Sequence, residues 1–309
     1  MESAPLALEA RELTKSYGRA RGIVGVDLRV EPGQVMGLVG ANGAGKTTLM
    51  RTLLDFIRPT SGSLTVFGHD SVRDSVAVRR LATYLPGELV MPPRLTGAEA
   101  LERFTFARPA MDPVRVAGLA DRLDLDLSRR IGDLSKGNKQ KVGLMLAFAP
   151  RARLLVLDEP TSGLDPLLQR EFAALLAETV GHGVTVLLSS HVMSEVEQVA
   201  SRVALMREGA VTVVDDIVAI TGRARRRGHV RPRDTIDLDS LRDALARTAG
   251  VSEVTVDGGA VRFACSGDMD ALLKTVSGFA VRAMDVAHAD LEDAFFSAYD
   301  GPARSGDTR

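Results

Sequence analysis

Gly40-Ala-Asn-Gly-Ala-Gly-Lys-Thr47 fits the pattern GxxxxGK[ST], in which a curled loop of backbone N–H groups and one lysine grip the oxygens of a nucleoside triphosphate. Gly40, Gly43 and Gly45 carry no side chain to keep the backbone away from a ligand. The loop is followed by a helical pattern starting near Lys46, so the N-terminus of that helix is expected to face the phosphates. Lys46 is expected to bridge the β- and γ-phosphates and the Thr47 hydroxyl to bind Mg²⁺, with Asn42, Ala44 and Thr48 completing the cradle. Unrelated kinases, GTPases and motors share this loop, so alone it indicates only a bound triphosphate. Lysine is scarce in the chain: only six of the 39 basic residues are Lys, and Lys46, Lys136, Lys139 and Lys141 are four of them. A compact ammonium reaches a phosphate as a point charge, which gives these positions a chemical reason to avoid arginine.

A second group lies downstream. Leu154-Leu-Val-Leu-Asp158 is an apolar strand ending in a carboxylate, and it looks like the Walker B element, in which Asp158 would hold Mg²⁺. Glu159 follows directly and is the candidate base that orients and deprotonates water, with a plain capping carboxylate before Pro160 as the alternative.

Residues 8–220 as a whole resemble the ATPase subunit of ABC transporters. Leu134-Ser-Lys-Gly-Asn138 is similar to the LSGGQ signature of that family, Ser162-Gly-Leu-Asp165 to its D-loop, and His191 in Ser189-Ser-His191 to its switch histidine. Tyr17, ahead of the loop, matches the aromatic that stacks on adenine. The resemblance implies a head-to-tail dimer in which Ser135, Lys136 and Gly137 of one subunit reach the γ-phosphate held by the other. It counts the D-loop residue Asp165 among the nucleotide-binding residues and makes His191 a γ-phosphate sensor, so Lys46, Glu159 and His191 form the expected catalytic set. Two departures stand out. Lys136 and Asn138 replace Gly and Gln in the signature, and the Q-loop position after Tyr84-Leu85-Pro86 holds Gly87-Glu88 instead of Gln. Either Glu88 takes over the glutamine's role or the loop serves only to couple to a membrane partner. These departures, with Leu95-Thr-Gly97 and the C-terminal Leu291-Glu-Asp-Ala-Phe295, look like ATPase subunits of bacterial ABC-2 type exporters, including those of drug and antibiotic efflux. Such a subunit would use ATP and Mg²⁺ and pair with a second copy of itself. It would drive a membrane-spanning permease on a separate chain, from the cytoplasmic face of the membrane. The rival readings are a soluble ABC ATPase acting on ribosomes or DNA, and a regulatory ligand-binding module.

The elements that must position these residues follow from periodicity. Leu6–Val30 alternates as antiparallel strands would, turning at Lys15–Gly18; Gln34–Val39 is a strand; Lys46–Ile57 is helical with Leu49, Leu53 and Phe56 on one face. Ser63–Phe67, Ala82–Leu85, Leu154–Leu157 and Val184–Ser189 read as strands, and Ser75–Arg80 and Pro166–Val180 as helices. The predicted fold class is α/β: a P-loop ATPase core over 6–220, with an antiparallel β subdomain and an inserted helical subdomain at about 88–149. Gly222–Arg233 is basic, punctuated by Gly and Pro and devoid of aromatics, so 221–233 is read as a solvated linker rather than a nucleic-acid or lipid patch. Thr235–Leu238, Val251–Val256, Ala260–Cys265 and Ala280–Val286 are expected strands, with helices at Ser240–Thr248 and Met269–Val276. That βαββαβ order predicts a small ferredoxin-like α+β domain over 234–300, closing with a helix Asp290–Tyr299 before a polar tail, 301–309.

Bulk composition agrees with this reading. The formal net charge of −1 provides no general field to draw in nucleic acid. The single cysteine, Cys265, permits no intrachain disulfide. The N-terminus lacks a basic segment followed by an apolar run, so no secretory signal is expected, and no apolar stretch approaches the roughly 20 residues a bilayer span requires.

Overall fold

The computed structural model describes residues 5–18, 20–105, 111–223, 226–234 and 237–287, in two compact units divided at Asp215/Asp216. The first unit begins with the long antiparallel pair β1 (Leu8–Tyr17) and β2 (Ala20–Val30), whose register sets Leu8 opposite Val30 and Leu13 opposite Val26. Next comes β3 (Val35–Val39), every residue of which is buried, followed by the glycine-rich loop and α1 (Lys46–Leu53). Strands β4 (Ser61–Val66) and β5 (His69–Asp70) complete an antiparallel sheet of order β2-β1-β4-β5. Helix α2 (Ser75–Leu81) leads into β6 (Ala82–Leu85). The helical segment holds α3 (Gly97–Thr105), α4 (Pro113–Arg122), a 3-10 turn at Ile131–Asp133 and α5 (Lys136–Phe148). The core then resumes with β7 (Leu154–Asp158), α6 (Pro166–Gly181), β8 (Thr185–Ser190), α7 (Met193–Glu197), β9 (Arg202–Arg207) and β10 (Ala210–Asp216).

The second sheet has the order β10-β9-β3-β8-β7-β6, with β9, β3, β8, β7 and β6 parallel to their neighbours. It is covered on both faces, which explains why β3, β7 and β8 are unbroken apolar runs rather than alternating ones. Leu154, Val156 and Leu187 face the antiparallel sheet and α1, whereas Leu155, Leu157, Val186 and Leu188 face the helical segment and α6. The carboxyl ends of β3, β7 and β8 thus come together at one edge of the layer, where loops of a parallel sheet can converge on a ligand.

Helix α1 is shorter than the periodicity of 46–57 predicts. It stops at Leu53, Asp55 takes a left-handed φ of 55°, and the Phe56 N–H donates back to the Arg51 carbonyl at 2.9 Å. That 6→1 closure ends a helix even where the apolar spacing would continue it. Phe56 therefore leaves the Leu49–Leu53 face and stands exposed, its ring 5.7 Å from that of Tyr84.

The second unit contains α8 (Ile217–Arg223), β11 (Arg226–Pro232), α9 (Leu238–Ala246), β12 (Val251–Asp257), β13 (Ala260–Cys265), α10 (Asp270–Val276) and β14 (Val281–Ala287). Its sheet has the order β12-β13-β11-β14, each neighbouring pair antiparallel. The stretch 221–233, expected to be a solvated linker, is corrected here: it contains an inner strand of this sheet, β11. Only Val230 and Pro232 of β11 are buried, and its other face carries arginines, so the sequence hides a one-sided strand behind its charge. Of the strand expected at Thr235–Leu238, residues 235–236 lie outside the described residues and Leu238 starts α9. The expected helix Asp290–Tyr299 and the segment Leu291–Phe295 also lie outside the described residues.

Packing of the helical segment onto the parallel sheet converges on Phe148 and Phe172, whose rings meet edge-on with centroids 5.9 Å apart. Phe172→Ala is expected to destabilise the first unit by about 3–5 kcal/mol, read as a lower urea midpoint at an unchanged slope.

Candidate functional site

The glycine-rich loop leaves β3 at Gly40 and enters α1 at Gly45, which adopts a φ of 108°. A Cβ on Gly45 would lie 2.9 Å from Ile23 Cγ2 and 3.2 Å from Met206 Cε, so both its φ and the pressure from β2 and β9 demand glycine. Asn42 and Gly43 form the exposed tip of the loop, while Ala44 is buried and tied by its carbonyl to the Gly209 N–H at 3.0 Å. Lys46 is 6% exposed. Its ammonium donates to the Gly40 carbonyl at 2.5 Å and stands 3.4 Å from Glu159 Oε1. Thr48, one position past Thr47, is half-buried and its carbonyl accepts from the Thr52 hydroxyl.

Asp158, at the end of β7 and 3% exposed, is held from several elements at once. The Ser189 hydroxyl from β8 donates to its Oδ1 at 2.6 Å, and the Thr47 hydroxyl from α1 to its Oδ2 at 2.8 Å. A longer contact, 3.5 Å, comes from the Tyr84 hydroxyl at β6. Burial, together with the negative charge of Asp158, pushes the Tyr84 phenol above its ordinary pKa. Glu159 adopts a left-handed φ of 49° and is fixed there by its N–H, which donates to the Ser189 hydroxyl at 3.0 Å. Its carboxylate lies between the Lys46 ammonium and His191 Nδ1, the latter at 2.7 Å from Oε2. Further out, Glu195 of α7 accepts from the Thr161 hydroxyl at 2.6 Å and the Ser190 hydroxyl at 2.8 Å. It thereby ties the segment after Glu159 to the segment before His191.

The structure brings Lys46, Thr47, Asp158, Glu159 and His191 into one connected cluster. The other expected residues are placed elsewhere. The Ser135 hydroxyl caps α5 by accepting the Asn138 N–H at 3.2 Å, and Asp165 caps α6 by accepting the Leu168 N–H at 2.9 Å. Lys136 lies over Gly163, where a Cβ would come within 3.4 Å of Lys136 Cε. Among the described residues, no hydrogen bond or ion pair joins this second group, which includes Gly137, to the glycine-rich loop. Tyr17, exposed at the end of β1 with the Lys15 ammonium 5.3 Å from its ring centre, borders Gly22, whose carbonyl faces Gly45. Glu88 is exposed. Gly87 runs against the site: a Cβ there would stand 3.2 Å from the Asp158 carbonyl, so a glutamine could enter only if the strand end gave way. Ser189, Tyr84, Thr161 and Glu195 are working parts that sequence reasoning missed. The hydroxyl pair Ser189-Ser190 just before His191 was the available signal.

A glycine-rich loop between a buried strand and a helix, with a hydroxyl and two consecutive acidic residues from neighbouring strand ends, defines a P-loop nucleoside triphosphatase. The ABC transporter family model matches residues 23–162. The chain is 34% identical over 303 residues to the daunorubicin resistance ATP-binding protein DrrA3 of Streptomyces coeruleorubidus, covering 94% of this chain and 92% of that protein. It is 31% identical over 262 residues to the bacitracin transport ATP-binding protein BcrA of Enterococcus faecalis, covering 82% and 83%. A solved ATP-binding subunit of an ABC transporter superposes with a TM-score of 0.65 at 27% identity, over 69% of this chain and 91% of that one. A dimeric ATP-binding cassette bound to ADP and Pi in a post-hydrolysis state shares the fold, with a TM-score of 0.60 at 20% identity over 68% and 98%. The chain belongs to the ABC transporter family, as one of its ATP-binding and ATP-hydrolysing subunits. Among the described residues no helix is long and apolar enough to cross a membrane.

Ser189 donates to one catalytic-site carboxylate and accepts from the backbone of the next residue. Losing a hydrogen bond to a charged, buried group costs about 1.5–3 kcal/mol. Ser189→Ala should therefore lower ATP turnover by roughly 10- to 100-fold, with circular dichroism unchanged and nucleotide still bound in calorimetry.

Proposed function

We propose that this subunit powers export of small toxic compounds, of the drug or antibiotic class named for its relatives, through a membrane-spanning permease on a separate chain. Two copies of the subunit act together at the cytoplasmic face of the membrane. The observation that carries this reading is the separation of two groups of residues within one chain. Lys46, Thr47, Asp158, Glu159 and His191 form a phosphate-side cluster, while Ser135, Lys136, Gly137 and Asp165 lie in another group without a hydrogen bond or ion pair to it. A head-to-tail second copy supplies the missing half of each site.

The residues present suit Mg²⁺: the Thr47 hydroxyl and an Asp158 oxygen lie 2.8 Å apart, both hard oxygen ligands. The direct partners of the buried Asp158 carboxylate are neutral hydroxyls, which leaves its charge for a cation. Thr47 and Asp158 would hold the ion, which would supply neutralisation of the phosphate charge.

The chain's own residues do the rest. Backbone N–H groups of residues 43–48 bind the phosphates, and Lys46 exchanges the Gly40 carbonyl for β- and γ-oxygens. Tyr17 stacks on the adenine. Glu159 accepts a proton from the attacking water as its oxygen bonds to the γ-phosphorus and the bond to the bridging oxygen breaks. His191 aligns the Glu159 carboxylate and contacts the departing phosphate, while Ser135 and Gly137 of the second copy hold that phosphate from the other side. Loss of the shared phosphate removes the preference for the closed pair, and the opening drives the permease. Gly87, which brings its backbone rather than a side chain to Asp158, and the exposed Glu88 serve in coupling: the groove around Gly87–Glu99 receives a segment of the permease. The second unit is a ferredoxin-like accessory module, a reading its strand order supports.

Glu159→Gln should keep ATP binding, cut turnover by at least roughly 10²-fold and accumulate an ATP-bound dimer in size-exclusion chromatography; hydrolysis at the normal rate would exclude Glu159 as the base. Lys46→Ala should remove the calorimetric signal for ATP while leaving the thermal unfolding of the nucleotide-free protein unchanged.

A further inference from the structure

Resting on the roles given above to Glu159 and His191, we propose that Glu195 is a positioning residue for ATP hydrolysis: one of its carboxylate oxygens keeps that pair in register. Glu159 and His191 follow different strands, β7 and β8, and meet with Nδ1 2.7 Å from Oε2. Groups carried on loops keep a productive spacing when further hydrogen bonds lock the segments that bear them. Glu195 Oε2 is where those bonds converge. It accepts the Thr161 hydroxyl at 2.6 Å, just past Glu159, and the Ser190 hydroxyl at 2.8 Å, just before His191.

The Ser190 hydroxyl passes the restraint on. Its proton is committed to Glu195, so its lone pairs are left for the Val192 N–H, which donates to it at 3.0 Å. His191 is thereby bracketed: the residue before it and the residue after it are fixed to each other and to Glu195. On the other side, the Ser162 N–H donates to the Glu159 carbonyl at 3.2 Å and the Leu164 N–H to the Thr161 carbonyl at 3.0 Å. The tie at Thr161 therefore acts on a turn already closed onto Glu159.

Burial makes Glu195 hard to replace. Ser190 and Thr161 are both buried, so water has little access to either hydroxyl, and a buried hydroxyl stripped of its acceptor costs more than the bond itself. The support is also anchored. Helix α7 is too short to be stable alone, but its Val196 is buried against β3, where a Cβ on Gly37 would collide with Val196 Cγ1. Strand β3 runs into the glycine-rich loop. Glu195 thus refers the Glu159–His191 pair to the same strand that positions Lys46.

The test is a kinetic cycle on the full-length chain, read by single-turnover ATP hydrolysis so that slow variants stay measurable. Small misplacements of reacting groups are costly, so Glu195→Ala should lower kcat by about 10- to 100-fold, with KM for ATP nearly unchanged. Glu195→Gln keeps an acceptor oxygen in place and should recover most of that loss, whereas Glu197→Ala on the same helix should change nothing. In a His191→Ala background, Glu195→Ala should cost less than about twofold more, because the group it positions is already gone. Should Glu195→Ala fold poorly, Ser190→Ala and Thr161→Val, which each remove one arm, are read in the same cycle with the same non-additivity expected. Normal turnover in both Glu159→Gln and His191→Ala would sink the underlying roles. With those two impaired, a full-rate Glu195→Ala, a Glu195→Gln no faster than an impaired Glu195→Ala, or an equal loss in both backgrounds would overturn the positioning role alone.

Discussion

The buried carboxylate of Asp158 is the constraint around which the first unit is organised. Removing an ionised group from water costs several kcal/mol unless it is well hydrogen-bonded, and here the donors arrive from different elements. Thr47 is delivered by α1, Ser189 by β8 and Tyr84 by β6. Asp158 and Ser189 are direct partners in the β7–β8 register, so a one-residue slip would bury the carboxylate without its nearest donor. The parallel sheet's alignment and the site's electrostatics are therefore one requirement. The same donors are neutral, which compensates desolvation without cancelling charge and leaves a negative centre suited to a cation accompanying a polyphosphate.

From that anchor the adjacent charges follow. Glu159 cannot share the environment of Asp158, and the backbone separates them by turning Glu159 into the left-handed region at a φ of 49°. Its carboxylate then lies between a lysine and a histidine, both of which have reason to face a phosphate. The buried Lys46 is the least free of these groups: a loop carbonyl and the Glu159 carboxylate hold its ammonium at the mouth of the glycine-rich loop. In the proposed mechanism, arrival of a triphosphate would offer Lys46 stronger acceptors and release Glu159 for work on water. A resting ion pair that exchanges for substrate keeps every buried charge partnered at each stage.

What the sequence disclosed and what it concealed divide along physical lines. Gly40–Thr47, Leu154–Glu159 and Ser189–His191 are readable because phosphate chemistry tolerates few residue types at those spacings, and strands buried on both faces announce themselves as apolar runs. Helix α1 ran short because a backbone closure at Asp55–Phe56, invisible to periodicity, overrode the side-chain pattern. Strand β11 passed for a linker because its inward positions are Gly228, Val230 and Pro232, too little apolar signal beside three arginines. Glu195 was unreadable for another reason: its hydroxyl partners, Thr161 and Ser190, lie far apart in sequence and close only after the fold has formed.

The separation of the two residue groups also sets the energy scale of the proposed cycle. Converting a population from mostly open to mostly closed requires a differential of about 5.5 kcal/mol. Hydrogen bonds to a charged group contribute about 1.5–3 kcal/mol each. In the proposed pair, the Ser135 hydroxyl and Gly137 N–H at the start of α5 would face a phosphate held by the other copy and supply two such bonds per site and four per closed pair. That exceeds the requirement, with a margin to overcome association entropy and strain in the permease. None of it survives once the phosphate has left, because Ser135 then has only its own helix cap to satisfy. A cap that can serve either its own helix or a neighbour's ligand costs little to switch, and this makes the closed state dependent on the γ-phosphate rather than on protein contacts.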